Sequence, residues 1–535
     1  MSLYYADMMQ RTVLSIMALT LALVVAAQSG YKRTQNRMLD EAKVLLAMGE
    51  YEKAAQLYKR LAPMDTTFAE VYHELGLCQL NLPGQKERSV TAFEHAVRHG
   101  HVEARYHLAC ARHRQQRFDA AVDLFRWYKE GHQRLVNDRD VDHAMDMALT
   151  AKMRIKDPVD VRIRNLGPMI NSAGQDYCPL VTADGSAMYF TSRREGTTGE
   201  RKDGSGQWFE DIWMARRIDD MWTNAMNVHA PLNSAMHDAT VGMAPDGTSM
   251  IVYRTHPDLL SGDLYESKLI DGQWSEPELM TDRINSPHHE PSASIAPGGD
   301  EIYFTSDRPE GHGGRDIYRI KRLPDGSWSL PLNLGPNVNT PYDEDAPFVH
   351  SDGVTLFFSS KGHDSMGGYD VFKAVLTDPD VNGWSLPENL GYPLNTVNDD
   401  IYFCLAEDGL TGWLSSERPG GMGMQDIYQV EYPSTQLDYL VVRGVVTDVA
   451  EEPVKARILV TDKEGTTIQG VYNSNARTGR YLLVLTPGQE YALTVEAEGF
   501  GTRTMALLAQ TNNGTRELPM DILMAPAQQQ LTQHE

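Results

Sequence analysis

The sequence predicts three folds in succession: an all-α array of helical repeats, an all-β ring of repeated sheets, and a small β-sandwich. Apolar residues recur at helical spacing from Arg33 to Lys156, and a polar motif returns five times between Leu166 and Tyr432. From Leu440 to Leu523, apolar and polar residues alternate with the period of two that strands require. A chain of 535 residues, 41% of them hydrophobic, has room for about three or four domains with separate cores.

Composition excludes some classes of function. The formal net charge is −24 and the pI is near 5.1, so we expect no nucleic-acid partner, because such binding depends on neutralising phosphates. A basic protein partner is compatible with this acidity, but solubility is the more general explanation. The cysteines, Cys78, Cys110, Cys178 and Cys404, form no CxxC pair and no metal-ligand spacing. Whether Cys178 pairs with Cys404 in an oxidising compartment is left open by the sequence.

The N-terminus has the pattern of an export signal. Arg11 precedes an apolar run from Val13 to Ala27, after which the chain turns polar. About fifteen residues are too few to span a bilayer comfortably, so we predict a signal peptide over residues 1–27 that is cleaved after Ala27. No cysteine follows the run, which excludes a lipoprotein anchor; an uncleaved N-terminal anchor is the alternative.

Residues 28–156 contain three similar segments whose starts recur at about 34 residues, the period of a tetratricopeptide repeat. Each segment carries small residues where two helices of a hairpin approach and aromatic residues between neighbouring hairpins. These positions are Leu46, Gly49, Tyr51, Ala54, Ala55, Leu57 and Tyr58; Tyr72, Leu75, Gly76, Phe93 and Ala96; and Tyr106, Leu108, Ala109, Phe118, Ala120, Ala121 and Phe125. We predict that they pack the core and that the stack presents a concave groove for a peptide or a partner's helix.

Residues 157–433 repeat one pattern five times at intervals of roughly fifty to sixty residues, which is typical of propeller blades. Each copy opens with Asn and Ser or Thr, followed by an acidic residue, a turn and a strand. The opening asparagines are Asn171, Asn233, Asn285, Asn339 and Asn395, and the acidic residues are Asp176, Asp238, Glu290, Glu344 and Asp400. A later strand is headed by Asp211, Asp263, Asp316, Asp370 or Asp426. Trp222, Trp274, Trp328 and Trp384 mark an outer strand in four copies.

The fifth copy lacks this outer strand, because the chain runs through Pro433 into a different pattern. Residues 160–167 resemble the outer strands at 328–335 and 384–391. We therefore predict a five-bladed propeller whose last blade is completed by the N-terminal strand, which removes an open sheet edge. The repeats resemble the WD-type, TolB-like propeller repeats of bacterial envelope proteins.

No catalytic, cofactor-binding or metal-binding residue is predicted. The recurring aspartates and tryptophans are expected to hold the structure of their own blades. His237 and His289 share a repeat position and His288 adjoins one of them, yet no Cys or His partner lies at ligand spacing. Residues 362–367 approach the G-x-S-x-G nucleophile motif around Ser365, but they carry one residue too many and precede no helix. We therefore predict a turn there and a protein that is not an enzyme.

Residues 434–525 are similar to the carboxypeptidase regulatory-like domain, in the T-G-x-Y strand at Thr478–Tyr481 and the P-G-x-x-Y turn at Pro487–Tyr491. The alternation predicts an antiparallel sandwich, and the resemblance implies a transthyretin-like β-sandwich used for contacts, without catalytic residues. The last residues, 526–535, are polar and rich in Gln, and we expect them to be disordered.

The order of these parts resembles the PorE family of periplasmic proteins, which belong to the type IX secretion and gliding systems of Bacteroidota. The resemblance implies a scaffold without cofactors, associated with the outer membrane, whose partners are a β-barrel of the PorP/SprF type or other secretion components. Members usually continue into an OmpA-like domain that binds peptidoglycan. No such domain follows the sandwich in this sequence, so the resemblance does not imply anchoring to the cell wall. The alternative is a carbohydrate- or peptidoglycan-binding module, since propeller faces and small β-sandwiches both bind glycans.

Overall fold

A computed structural model describes residues 32–82, 84–132, 134–259, 261–378, 382–433, 440–510 and 517–527. It confirms the predicted order of an all-α region followed by antiparallel β-sheets. The chain divides into two compact units, one reaching Asp142 and including Gly204–Gly206, the other containing residues 143–203 and 207 onward. This division falls inside the last helix and not at the predicted residue 156. The predicted signal peptide, residues 1–27, lies outside the described residues.

The described residues form seven α-helices: 32–47 (α1), Tyr51–Leu61 (α2), Ala69–Leu80 (α3), Lys86–Arg98 (α4), Val102–Arg114 (α5), Phe118–Lys129 (α6) and Asp138–Arg154 (α7). Consecutive helices from α2 to α6 pack against each other. Ala54, Ala55 and Tyr58 are buried on one face of α2, as their helical spacing predicts. A Cβ at Gly76 of α3 would come within 2.5 Å of the Phe93 ring of α4, so glycine permits this close approach. None of the described helices has the length and apolar character that crossing a bilayer requires.

Five antiparallel sheets follow, numbered by position along the chain. Sheet 1 contains Asp176–Val181, Ala187–Ser192, Asp211–Ile218, Met221–Trp222 and Met226–Asn227. Sheet 2 contains Asp238–Met243, Ser249–Thr255, Gly262–Ile270, Gln273–Trp274 and Glu278–Leu279. Sheet 3 contains Ala293–Ile295, Glu301–Ser306, Asp316–Lys321 and Leu332–Asn333. Sheet 4 contains Glu344–Val349, Thr355–Ser360, Asp370–Asp378, Gly383–Trp384 and Glu388–Asn389. Sheet 5 contains Asp400–Leu405, Thr411–Ser416, Asp426–Glu431 and the distant strand Arg162–Asn165.

The strand Arg162–Asn165 pairs antiparallel with the third strand of sheet 5, with Ile163 opposite Val430. The first strands of the five sheets contact one another in cyclic order, and that of sheet 5 contacts that of sheet 1. The first strands therefore surround a common axis. Hairpin turns such as Asp184–Gly185 lie at one end of the axis, called the turn end, and the starts of the first strands lie at the other, called the head end.

Three of the first strands contain a β-bulge at the same repeat position. Cys178, Ala346 and Tyr402 adopt φ angles of +51°, +50° and +58° there, and the ladder register shifts around each. A left-handed backbone is unfavourable for residues other than glycine, so the flanking ladders must hold these bends. A bulge changes the direction of neighbouring side chains. Here the affected side chains are Tyr177, Asp345 and Tyr402, which lie close to the axis.

The second half of α7 packs on sheet 4. The ring of His143 stacks on Tyr342 with centroids 4.0 Å apart, and its Nε2 lies 2.7 Å from the Lys361 carbonyl oxygen. At the end of the helix, Arg154 forms an ion pair with Asp364. These contacts fix the segment that leads into the strand Arg162–Asn165.

Two further sheets form the C-terminal sheet pair, residues 440–527. One contains Leu440–Thr447, Arg480–Leu485, Glu517–Pro519 and Ile522–Leu523; the other contains Arg457–Asp462, Ile468–Asn473, Glu490–Glu496 and Arg503–Leu508. Both contribute to one hydrophobic core. The expectation of a wholly antiparallel arrangement is wrong, because Leu440–Thr447 pairs in parallel with Glu517–Pro519 and Ile522–Leu523. Within the tail predicted to be disordered, Pro526 forms an antiparallel bridge with Phe500. Residues 528–535 of that tail lie outside the described residues.

The C-terminal sheet pair contacts the turn end of the axis. Arg443 Nη2 lies 2.9 Å from Glu407 Oε2 of sheet 5, and Lys455 forms an ion pair with Asp300 of sheet 3. A Cβ at Gly353 of sheet 4 would lie 3.0 Å from the Val471 carbonyl oxygen. The turn end is therefore partly covered, whereas the head end lies away from these contacts.

Candidate functional site

The asparagine that opens each repeat joins two neighbouring sheets. Asn233 Oδ1 accepts from the Ile212 N–H at 2.8 Å, and its Nδ2 donates to the Ile212 carbonyl at 2.8 Å. Asn171 makes the same two bonds with Ile427 of sheet 5, at 2.8 and 2.9 Å. Asn285, Asn339 and Asn395 bond Leu264, Ile317 and Val371 in the same way. One side chain per repeat thus satisfies both backbone groups of a strand residue in the preceding sheet.

The aspartates predicted as repeat positions accept hydrogen bonds from the loop before the third strand. The loop N–H donors are Thr198 for Asp211, His312 for Asp316, Met366 for Asp370 and Met422 for Asp426, at 2.5–2.8 Å. Outer-strand asparagines also donate to these four carboxylates: Asn227, Asn333, Asn389 and, in sheet 5, Asn165. Asp263 differs, and lies 2.8 Å from His256 Nε2. Asn165 belongs to the distant strand that joins sheet 5, so it takes the place of the missing outer-strand residue.

The predicted tryptophans pack between neighbouring sheets. Trp274 of sheet 2 donates from Nε1 to the Tyr189 hydroxyl of sheet 1 at 3.3 Å. Trp384 of sheet 4 meets Tyr303 of sheet 3 edge to face, with centroids 6.1 Å apart. Trp222 and Trp328 pack into core clusters that they share with the preceding sheet.

Four of the acidic residues at the heads of the first strands pair with an arginine. The pairs are Asp176–Arg194, Asp238–Arg254, Glu290–Arg308 and Asp400–Arg418. In sheets 1, 3 and 5 the arginine also donates to the carbonyl of the residue before the opening asparagine. In sheet 4, Gly362 stands where these sheets have the arginine. The corresponding carbonyl, that of Val338, lies 2.9 Å from His363 Nε2 instead. No arginine of the described residues pairs with Glu344, and burial raises the pKa of this carboxyl group to about 7.

Replacing Glu344 with glutamine is expected to remove a pH dependence of the free energy of unfolding. Because the folded-state pKa is raised above the ordinary 4.5, the stabilisation is complete below pH 4.5 and is lost as the pH rises through 7, a loss of roughly 3 kcal/mol. The amide of E344Q can accept from the Thr340 N–H and donate to the Ser360 hydroxyl, yet it cannot ionise. Urea unfolding followed by tryptophan fluorescence, at about pH 5 and about pH 8, measures the difference.

Glu290→Gln is the matched control for this experiment. It leaves Arg308 without its carboxylate, so E290Q should be destabilised at both pH values. Identical pH dependences for E344Q and the wild-type protein would contradict the raised pKa of Glu344.

The candidate nucleophile Ser365 and the candidate metal ligand His237 are engaged in local contacts. The Ser365 hydroxyl donates to the Gly368 carbonyl at 3.1 Å, while the His363 ring bonds elsewhere. His237 Nδ1 lies 3.0 Å from Glu210 Oε2. No group of three or more His, Cys, Asp or Glu side chains suited to a metal ion occurs in the part of the chain that the structure describes.

The cysteine pairing that the sequence left open does not occur. All four cysteines carry free thiols, and burial raises the pKa of Cys178 and of Cys404 to about 12. Both thiols are therefore protonated and unreactive at neutral pH.

A group of charged and aromatic residues, called the axial cluster, lies at the head end. Its members are Tyr177, Glu210, Arg315, Asp345, Tyr369 and Tyr402. Glu210, Arg315 and Tyr369 share one repeat position, directly before the aspartate that heads the third strand. Their carbonyls accept from the first N–H of the next sheet's first strand, at 2.7–2.9 Å. This repeated backbone bond places their side chains beside the starts of the first strands.

Arg315 connects three members of the axial cluster. Its Nη1 lies 2.8 Å from Asp345 Oδ2, and its Nη2 donates to the Tyr369 hydroxyl at 2.6 Å. Tyr177 and Tyr402 stack with ring centroids 5.6 Å apart. Burial raises the pKa of all three tyrosines, so their hydroxyls keep their protons at neutral pH.

Glu210 is held in its charged form by its neighbours. Burial alone would raise its pKa, but the hydrogen bond with His237 and the charge of Arg193 outweigh burial and lower it. The ring of His237 also stacks on Phe209, with centroids 3.9 Å apart.

The axial cluster is suited to recognition. Carboxylate, guanidinium and phenol groups can hydrogen bond a polar partner, and aromatic faces can stack on it. Its charged side chains are paired within the chain, Arg315 with Asp345 and Glu210 with His237. The sequence pattern did not predict this cluster, because its residues differ from one repeat to the next. The available signal was the variation at one position, Glu210, Gly262, Arg315, Tyr369 and Gln425, beside a constant aspartate.

No protein-family model matches the chain, and no curated protein does. Among solved structures, the Yersinia enterocolitica type III secretion chaperone SycD bound to a peptide of the translocator YopD is 16% identical, covering 22% of this chain and 95% of that one, with a TM-score of 0.21. An endo-arabinase from Bacteroides thetaiotaomicron VPI-5482 is 14% identical, covering 50% and 97%, with a TM-score of 0.33. An alpha-L-arabinofuranosidase from Lactobacillus brevis is 14% identical, covering 50% and 94%, with a TM-score of 0.31. All three TM-scores lie below 0.5, so no function is transferred from these structures.

Proposed function

We propose that the protein is a non-enzymatic scaffold of the cell envelope that binds protein partners at the axial cluster. One observation carries the proposal: polar groups common to the five repeats bond within the chain, whereas charged and aromatic groups that differ between repeats gather at the head end. Repeat proteins build interaction surfaces in this way, with constant residues for architecture and variable residues for contacts.

In this proposal the five sheets are the blades of a β-propeller closed by Arg162–Asn165. The cyclic contacts of the first strands and the repeated asparagine bridges support this arrangement. Helices α1–α7 are tetratricopeptide-like repeats whose groove supplies a second binding surface, and the C-terminal sheet pair is the carboxypeptidase regulatory-like sandwich. The recurring aspartates and tryptophans serve this architecture.

The proposed location is the periplasm, in association with the outer membrane. The apolar run from Val13 to Ala27 supports export. The resemblance to the PorE family supports a role in type IX secretion or gliding machinery, with a PorP/SprF-type barrel or another secretion component as the partner.

Affinity purification of the tagged full chain from its native envelope tests the proposal. We expect the double variant Tyr177→Ala, Arg315→Ala to recover its partner proteins at roughly one tenth of the wild-type yield or less, because central aromatic and arginine residues dominate binding energy. Mass spectrometry identifies the partners, and tryptophan fluorescence verifies that the variant is folded.

Leu386→Ala is the control, because Leu386 is 79% exposed and lies outside the cluster. It should recover partners at the wild-type yield. A folded double variant with undiminished partner recovery would contradict binding at the axial cluster.

A carbohydrate-binding module is the second candidate, and the grouping of three tyrosines at the head end favours it. Sugar rings pack on aromatic faces and hydrogen bond to carboxylates. Titration of the protein with peptidoglycan fragments and a panel of glycans, followed by calorimetry, separates the two candidates. Glycan binding that Tyr177→Ala abolishes would support the second.

A further inference from the structure

An apolar well, called the axial well, lies on the axis at the turn end, between the first strands of all five sheets. Its volume is about 150 Å³, and its lining includes Val241, Ile295, Val349 and Leu405. An apolar cavity of this size accommodates a molecule as large as benzene. The axial well therefore has room for a single aromatic ring or a branched alkyl group of similar size.

The lining of the axial well carries almost no charge. Of its described residues, only Glu407 is ionised at neutral pH, and it pairs with Arg443 at 2.9 Å. The thiols of Cys178 and Cys404 and the hydroxyl of Tyr402 keep their protons, because burial raises the pKa of all three groups. Burial of an ion costs free energy unless the ion is paired, so the axial well favours a neutral molecule over an ion of either sign.

Three residues with a left-handed backbone form part of this lining. Cys178, Ala346 and Tyr402 occupy the β-bulges of sheets 1, 4 and 5, with φ angles between +50° and +58°. Strained backbone residues cluster at sites that hold ligands, and bulges are frequent beside such sites. The convergence of three bulges on one cavity is the arrangement expected of a binding site.

The axial well opens into a cleft beneath the C-terminal sheet pair. The cleft has a volume of about 1240 Å³, and Ala183, Ala244 and Pro245 line both spaces. The sheet pair covers the turn end through its contacts with sheets 3, 4 and 5. The surface of a folded partner therefore cannot reach the mouth of the axial well, whereas a small molecule can pass through the cleft.

We propose that the axial well binds a small neutral apolar molecule, an aromatic ring or a branched hydrocarbon of similar size. The apolar walls exclude ions, the volume excludes larger ring systems, and the C-terminal sheet pair excludes folded proteins. This binding goes beyond the recruitment of protein partners at the head end, and a protein that failed to recruit them would still bind the molecule.

Fluorine NMR of the full chain with fluorobenzene tests the proposal. We expect saturable broadening of the fluorine signal, which an excess of benzene reverses. Two pairs of probes of matched size compare neutral molecules with ions: 4-fluoroethylbenzene with 4-fluorobenzylammonium, and 4-fluoroacetophenone with 4-fluorobenzoate. In each pair the ion should bind at least about tenfold more weakly, because burial removes its hydration without supplying a counter-charge.

Ala244→Phe is expected to fill the mouth of the axial well and weaken the binding of fluorobenzene by about tenfold or more. Ala450→Phe is its matched control, since Ala450 is exposed and lies outside both linings, and it should bind like the wild type. Ala183→Phe provides a second blocking variant, at an exposed position, if A244F does not fold. Circular dichroism verifies that each variant is folded.

Val349→Ala enlarges the axial well, because Val349 is a buried residue of its lining. The variant should bind 1-fluoronaphthalene at least about tenfold more tightly than the wild type does, since the larger ring system then gains room to be buried. This gain of binding cannot arise from a loss of folding.

Four outcomes would overturn the proposal. Three of them are an absence of saturable fluorobenzene binding, an ion that binds as tightly as its neutral match, and undiminished binding by a folded A244F or A183F variant. The fourth is tighter binding of a neutral tripeptide with a central phenylalanine than of fluorobenzene, lost in A244F, because the occupant would then be the side chain of a partner.

Discussion

Replacing Asn171 with alanine is expected to destabilise the β-sheet unit by roughly 2–6 kcal/mol, because it leaves two buried backbone groups unpaired at about 1–3 kcal/mol each. Both groups belong to Ile427, which is fully buried in sheet 5. The bond pair joins residues at opposite ends of the repeat region, so N171A should also loosen the contact between sheets 5 and 1. Urea unfolding followed by tryptophan fluorescence reports the change, since seven of the eight tryptophans lie beyond residue 200.

Asn285→Ala is the most informative comparison for N171A. Asn285 makes the same bond pair with Leu264 between two sheets that are adjacent in sequence. If the first and last repeats are joined as tightly as the others, the two variants should lose similar free energies of unfolding. Asn224→Ala, at an exposed position, should have little effect. A loss for N171A far below that for N285A would contradict closure between sheets 5 and 1.

Acidification is expected to destabilise the helical unit through His107. Its ring lies 5.1 Å from that of His73 and 5.4 Å from that of Phe93. Burial lowers the pKa of His107 to about 3, with contributions from the charges of His73 and His101. In the unfolded chain His107 is protonated below about pH 6.5, whereas in the folded chain it stays neutral down to about pH 3. The free energy of unfolding therefore falls as the pH drops below 6.5, by roughly 2 kcal/mol at pH 5 and about 4–5 kcal/mol at pH 3.

Far-ultraviolet circular dichroism during urea unfolding at about pH 7 and about pH 5 measures this effect on the helices. His107→Gln cannot protonate, so the variant should lose much less stability on acidification. Burial also lowers the pKa of His101, so part of the dependence should remain. His132→Gln, at an exposed position, should behave as the wild type does. Equal acid sensitivity of H107Q and H132Q would show that His107 is not responsible.

The sequence predicted elements well where one residue type has a local role. The third strands begin at Asp211, Asp316, Asp370 and Asp426, the predicted heads. Each of these carboxylates accepts an N–H from the loop directly before its own strand, four residues away in three sheets and thirteen in sheet 1, so the bond and the residue type recur together. A repeated local contact leaves a repeated sequence pattern.

Contacts between distant residues that occur only once left no such pattern. Arg315 and Asp345 of the axial cluster, or His73 and His107 of the helices, meet only after neighbouring repeats pack. Alternation at period two predicted the strands of the C-terminal sheet pair, but it specifies which face a side chain occupies and not the direction of pairing. The parallel pairing of Leu440–Thr447 was missed for this reason.

Completion of sheet 5 by Arg162–Asn165 has a consequence for synthesis on the ribosome. At about 5–20 residues per second, this strand waits roughly 15–50 s after its own translation before Asp426–Glu431 is made. During that interval it presents an unpaired edge to other nascent chains, a hazard that its two arginines, Arg162 and Arg164, reduce by charge repulsion. Efficient production of the protein should therefore depend on chaperones that shield the early segment until its partner emerges.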